Sequence, residues 1–147
     1  MFYQNRVTSI RILPNDKNTF QSEYEFKSFV ENVMPKRGGY YYYPNLMMNC
    51  DPYTLVLFQY DGKIRAVGVL LDAQKTQVFD EKGIEYAGYY KFDVDSIKYL
   101  SRPIDVEIMR TYYPKFIAFN QAKQRIPIEY WKNIFEMLKK TNQIDVM

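Results

Sequence analysis

The segment from Thr54 to Leu71 constrains this chain more than any other. It reads Thr54-Leu-Val-Leu-Phe-Gln-Tyr60, then Asp61-Gly62, then Lys63-Ile-Arg-Ala-Val-Gly-Val-Leu-Leu71. Asp-Gly suits a type I′ turn, which needs positive φ at both central positions and whose twist matches two antiparallel strands. Both flanks carry long apolar runs rather than strict alternation. Such runs predict strands inside a sheet or barrel, covered on both faces. Gly68 within the return strand predicts a bulge or tight bend.

Weaker signals extend the pattern in both directions. Arg6 to Leu13 has strand composition (Val7, Ile10, Ile12) and stops at the turn signal Pro14-Asn15-Asp16. Ser22 with Glu25 forms a capping box, and Phe26, Phe29, Val30 and Val33 fall on one helical face. Pro35, Gly38 and Gly39 close that helix. Four tyrosines, Tyr40 to Tyr43, follow and end at Pro44. Val78-Phe79 reads as a short strand before a turn at Asp80–Gly83, and Ile84 to Phe92 as another strand with Gly88 in its middle. Asp93 to Leu100 reads as a loop or a turn of helix, and Ile104 to Met109 and Phe116 to Phe119 as strands. A last helix is predicted from Pro127 to Lys140. Pro127 suits its first turn, and Ile128, Trp131, Phe135 and Leu138 share a face. Short strands with Gly bends and helices at the ends predict one α+β domain over residues 1–147. Its sheet should be small, strongly curved and mixed, or a pseudo-barrel. Crossover helices between the middle strands are missing, which argues against a doubly wound parallel sheet.

Composition removes whole classes of chemistry. The 147 residues contain no histidine, so the commonest general base and the usual Ser-His and Cys-His pairs are absent. One cysteine excludes an internal disulfide and a thiolate zinc cage, and Cys50 is expected to act as a small hydrophobe. The N-terminal stretch lacks a secretory pattern, and no run approaches the ~18 apolar residues of a membrane span. The expectation is a cytoplasmic protein without membrane contact. Gly38-Gly39 is not followed by the Lys-Ser/Thr of a phosphate loop. Glu25-Phe26-Lys27 has the letters of a metal-nuclease motif but falls on the predicted helix, where the two side chains diverge. Asp93/Asp95 and Asp105/Glu107 are carboxylate pairs that could hold Mg²⁺ or act as acid and base, and ordinary turn positions look the same.

The net charge of +3 is mild, but the acids are unevenly spread. No Asp or Glu occurs from Asn32 to Cys50, where Lys36 and Arg37 adjoin the tyrosine run. None occurs from Ile108 to Ile128, where Arg110, Lys115, Lys123 and Arg125 interleave with Tyr112, Tyr113, Phe116 and Phe119, and with Asn120 and Gln121. Cations follow phosphates, aromatic faces stack on unpaired bases, and side-chain amides can pair with a base edge. The alternative is that the rings fill a core and its rim while the cations form a solvated face.

The hairpin from Asp51 to Leu71 resembles the central hairpin of PUA-like barrels, the superfamily that holds PUA, ASCH, EVE and YTH domains. The likeness rests on the apolar strand, the turn and the Ala66-Val-Gly-Val bend. Tyr86-Ala-Gly-Tyr-Tyr-Lys-Phe92 is similar to its later barrel strands, and Phe119 to Arg125 to a polar loop near its ligand pocket. The resemblance runs from Tyr40 to Leu138. It implies a pseudo-barrel with helices at its ends and binding of RNA or DNA, sometimes with a modified or flipped base in an aromatic pocket. A cage here would be built from tyrosines, since Trp131 falls on the apolar face of a helix.

The expected function is therefore a non-catalytic nucleic-acid-binding module without metal or organic cofactor. Its surface would join Lys36, Arg37, Tyr41, Tyr42 and Tyr43 to Arg110, Tyr113, Asn120, Gln121, Lys123 and Arg125. The partners would be RNA or DNA, with any enzymatic activity supplied by a protein partner. The alternative is a protein-binding or self-associating domain using exposed tyrosines with Met47 and Met48.

Overall fold

In the computed structural model, which describes residues 6–44, 48, 51–119 and 124–144, the central hairpin forms as predicted. Asp61 and Gly62 both take positive φ, 49° and 74°, as a type I′ turn requires. The turn joins β3 (Thr54–Tyr60) to β4 (Lys63–Phe79), so Val78-Phe79 is the far end of one 17-residue strand. β4 organises the sheet. Its first half pairs with β3 on one edge and β6 (Lys98–Ile104) on the other, and its second half pairs with β5 (Glu85–Phe92).

β1 (Ser9–Asn15) runs parallel to β3, with Ser9 opposite Thr54 and Asn15 opposite Tyr60. β2 (Tyr40–Tyr43) pairs antiparallel with β5, and β7 (Arg125–Ile126) antiparallel with β1. Among the described residues these seven strands form one mixed sheet. Its path is β2-β5-β4-β3-β1-β7, with β6 on β4 beside it, and no pairing closes the path into a ring.

At β3 both faces of the sheet are covered. Leu55 and Leu57 of β3 pack with Ile10, Ile12 and Ile126 under α3 (Val106–Tyr112) and α4 (Trp131–Asn142). Val56, Phe58 and Tyr60 point the other way, into Phe26, Val30 and Met34. These last three lie on α1 (Glu23–Ser28), the π turn Phe29–Val33 and α2 (Met34–Lys36). Burial on both faces explains why β3 is apolar without alternation. Leu55, Val56, Leu57 and Phe58 are each fully buried, worth about 1.5–3 kcal/mol apiece.

Local chemistry accounts for the helix ends. Ser22 caps α1 by accepting from the Glu25 N–H at 3.1 Å, and Glu25 reaches back to the Gln21 N–H at 2.8 Å. The π turn widens the helix ahead of Pro35, whose ring would otherwise meet the carbonyl one turn back. Gly38 and Gly39 then end it in a Schellman arrangement, with Gly39 N–H on the Met34 carbonyl at 2.9 Å and Gly38 N–H on Pro35 at 3.0 Å.

Several expectations are corrected. The bulge in the return strand is at Arg65, where Phe58 pairs with Ala66 and Gln59 with Ile64. Gly68 stays in register opposite Val56, and its hydrogen lies under Phe92, whose Cδ1 would be 3.1 Å from a Cβ. Ile104 to Met109 is not a strand. β6 ends at Ile104, and Asp105 caps α3 by accepting from the Ile108 N–H at 2.8 Å, so a single cap overrides strand-like composition. Phe116 to Phe119 is also not a strand. Arg110 donates to the carbonyls of Phe116 (3.0 Å) and Ile117, which a strand would have paired, and both phenylalanines turn into the core. Lys98 to Leu100, expected in a loop, begins β6. Trp131 is half-buried against the core, as its helical face predicts. Among the described residues no helix is long and apolar enough to cross a membrane.

Candidate nucleic-acid interface

The tyrosine run is a strand, and strand alternation sorts its four rings onto two faces. Tyr41 and Tyr43 point inward. Tyr41 donates to Asn15 Oδ1 at 2.6 Å and packs among Phe29, Phe58 and Tyr90. Burial pushes its phenol well above the ordinary tyrosine range. Tyr43 is buried and donates to the Gln74 carbonyl at 2.8 Å, directly over Gly88. Both hydroxyls are spent on bonds inside the fold, and Tyr43, being buried, presents no face for stacking.

Tyr40 and Tyr42 point outward and remain half-buried. Register with β5 sets Tyr42 opposite Tyr89 and Tyr40 opposite Lys91. The Tyr40 ring meets Tyr89 edge-on at 5.0 Å, and the Tyr42 ring lies 5.6 Å from Tyr86. Lys91 Nζ sits 5.6 Å from the centre of the Tyr40 ring. Three half-exposed phenols, Tyr40, Tyr42 and Tyr89, thus share one surface of the β2–β5 ribbon, while Tyr86, three residues before Tyr89 in β5, starts from the other face of that strand and meets the Tyr42 ring. Tyr40, Tyr86, Tyr89 and Lys91 were not among the expected site residues. The period-two rule could have separated Tyr40 and Tyr42 from their neighbours, but only register adds Tyr89 and Lys91.

Arg37 joins this surface from the end of α2. Its guanidinium lies 4.5 Å from the centre of the Tyr42 ring and forms a two-point ion pair with Glu81 in the β4–β5 turn, Nε to Oε1 at 2.6 Å and Nη2 to Oε2 at 2.7 Å. The hydrogen bond from Arg37 holds the Glu81 carboxyl down at about 2, and the same pair raises Arg37. A phosphate at Arg37 would have to displace Glu81. Lys36, one residue earlier, is exposed. Tyr89 titrates above the ordinary range because of burial, and Tyr86 because of burial and the nearby Asp80, so both stay neutral around pH 7.

The second cation-rich window lies elsewhere. Arg110 stands on α3 and is engaged with the loop carbonyls. Tyr113 packs against Tyr130 at 4.6 Å, beside the core that α3 and α4 cover. Arg125 is exposed on β7, opposite Arg11. Asn120, Gln121 and Lys123 lie outside the described residues, as do Met47 and Cys50. β2 and β7 end opposite edges of the sheet path, and the Tyr41/Tyr43 and Tyr113 clusters belong to cores on opposite faces. Among the described residues the two windows are therefore not brought together into one surface.

The acid pairs have structural positions. Asp93 caps the 3₁₀ turn Val94–Ser96, Asp105 caps α3, and Glu107 lies in its first turn. Among the described residues no group of three or more Cys, Asp or Glu is placed to hold a metal ion. Met48, expected as part of an exposed patch, is buried, and its N–H meets the Tyr90 hydroxyl. No family model matches the sequence, and no curated protein matches it.

Proposed function

We propose that this chain is a non-catalytic nucleic-acid-binding module, in the cytoplasm, whose curved sheet is an open relative of the PUA-like pseudo-barrel. The contact surface in this reading is the outer face of the β2–β5 ribbon. Its support is one observation: three half-exposed tyrosine rings, Tyr40, Tyr42 and Tyr89, share that face with Lys91 and adjoin Lys36 and Arg37. Phenol faces stack on unpaired bases of any sequence at about 1–3 kcal/mol per base. Lysines at the margin neutralise phosphates and release counterions. With Tyr41 and Tyr43 packed inward, bases would lie on an open platform rather than enter a cage.

Fluorescence anisotropy with labelled single-stranded and duplex RNA and DNA, at two salt concentrations, tests this. Single strands should bind more tightly than duplex. Tyr40→Ala should weaken binding about 5- to 150-fold, from one lost stack. Lys36→Ala should lower the logarithmic salt slope by about 0.7. No binding at low salt, or an unchanged affinity for the tyrosine variant, defeats the proposal.

A protein-binding use of the same ribbon is the second reading. Phe79 and Ile84, 56% and 51% exposed, flank the β4–β5 turn and favour it. Salt-independent self-association lost on Phe79→Ser would decide for that reading.

A further inference from the structure

Arg37 is placed as a seat for an oxyanion. Its guanidinium carbon lies 4.5 Å from the centre of the Tyr42 ring and 5.8 Å from that of Phe29, and its side chain is only 13% exposed. Packing against two rings holds the fork in place, so Nε and Nη2 offer a pair of donors in a set direction. Both donors meet Glu81, at 2.6 and 2.7 Å. A phosphate accepts from an arginine fork in the same two-point manner as a carboxylate.

The occupant is held less firmly than the seat. Glu81 lies 44 residues along the chain from Arg37, in the β4–β5 turn, and its side chain is 60% exposed. That turn is fixed without it. Asp80 Oδ1 accepts from the Lys82 N–H at 2.8 Å and the Ile84 N–H at 2.9 Å, and the Gly83 N–H bonds the Asp80 carbonyl at 3.0 Å. Asp80 therefore shapes the turn, and Glu81 is left to reach Arg37. The hairpin so brings a carboxylate to a segment, Asn32 to Cys50, that has no acid of its own.

We propose that Glu81 is a built-in stand-in for a backbone phosphate. It closes the Arg37 seat in the free chain, and a single strand of nucleic acid lying on the tyrosine face opens the seat by exchanging a phosphate for the carboxylate. This inference rests on the nucleic-acid reading of the ribbon and adds a gate to it. A carboxylate on the same chain competes at an effective concentration of about millimolar or more, so dilute free phosphate leaves the pair intact. A strand already stacked on Tyr40 also delivers its phosphate from within the complex, and competes on equal terms. The exchange breaks one exposed ion pair, so Glu81 holds the affinity of the surface down.

Anisotropy titrations of the full chain with a fluorescein-labelled single-stranded oligonucleotide test this, with the arginine Nε–Hε NMR signals as a second readout. Glu81→Gln weakens the hold on Arg37 and should tighten binding about 2- to 5-fold, the range that an exposed ion pair is worth. Arg37→Gln in the same background should abolish that gain. Glu85, which accepts from Gln77 at 2.7 Å, lies in the same hairpin. Glu85→Gln removes the same charge without touching the Arg37 pair, and should leave affinity within about 1.5-fold, because salt screens an exposed charge at a distance. The Arg37 Nε–Hε signal should move when the strand is added to the wild-type chain, since its acceptor changes from carboxylate to phosphate. An equal gain from Glu85→Gln, a gain that survives Arg37→Gln, or an Arg37 signal that stays still on binding overturns the gate. Binding by the wild-type chain with no gain in Glu81→Gln overturns the gate and leaves the tyrosine platform standing. No binding by any of these chains at low salt defeats the platform, and the gate with it.

Discussion

Gly88 occupies the tightest point between β2, β4 and β5. A Cβ there would overlap both the Gln74 carbonyl oxygen and the Tyr43 hydroxyl, so the glycine is required for the Tyr43 phenol to reach its acceptor. Gly88→Ala should cost about 1–3 kcal/mol through overpacking, read as a lower urea midpoint, and an unchanged midpoint would contradict this close packing. The glycine itself was visible in the sequence as an interruption of a strand. Its reason was not, because Tyr43 lies far away in the chain and meets it only through the β2–β5 register. The same register divides the tyrosine run. Four identical residues become two core side chains and two surface ones, and the residue type carries no sign of which is which. The acid residues show the converse. Asp93 and Asp105 sit at spacings that suit chemistry, yet each satisfies an N–H at the start of a helical turn.

Elements in this chain are defined by their ends more than by their middles. Ser22, the Gly38-Gly39 pair and Asp61-Gly62 were all legible, because capping and turn chemistry act over a few residues. In the sequence Asp105 stands in an acid pair and Ile104 to Met109 has the look of a strand, whereas in the structure Asp105 caps α3. Asp105→Ala should destabilise the chain by about 1 kcal/mol in chemical denaturation; no change would mean that the cap contributes nothing. Arg37 and Glu81 tie the end of α2 to the β4–β5 turn. Glu81 falls from an ordinary 4.5 to about 2 in the folded chain, so its contribution to stability is present above pH 4.5 and is lost as pH falls toward 2. The Glu81 side chain is 60% exposed, and solvent screening holds that contribution to about 0.2–1 kcal/mol. Glu81→Gln should lower the urea midpoint slightly at pH 7, with the difference fading by pH 2.5. A difference that persists unchanged in acid would show that the ion pair is not its source.

At the scale of the whole molecule, two cores share one sheet. Leu57 and Phe58 are neighbours in β3 and fully buried on opposite faces. Because β3 and β4 belong to both cores, neither core can persist without the other. Trp131, the single tryptophan, reports the core under α3 and α4, while near-ultraviolet tyrosine signals weigh the other side. The two probes should give the same unfolding midpoint, and Leu57→Ala or Phe58→Ala should move both together by about 2–5 kcal/mol. Separate midpoints would mean two independent units. The sequence alone determined the mixed α+β character, the β3–β4 hairpin and its turn, the first and last helices and the absence of histidine chemistry. All of these follow from local geometry and side-chain inventory. Tertiary structure decided which edge each strand joined, that β4 continues past Leu71 to hold β5, and that the two cation-rich windows lie in different parts of the sheet. Those outcomes depend on pairing between segments dozens of residues apart, and no short-range rule of spacing or propensity carries that information.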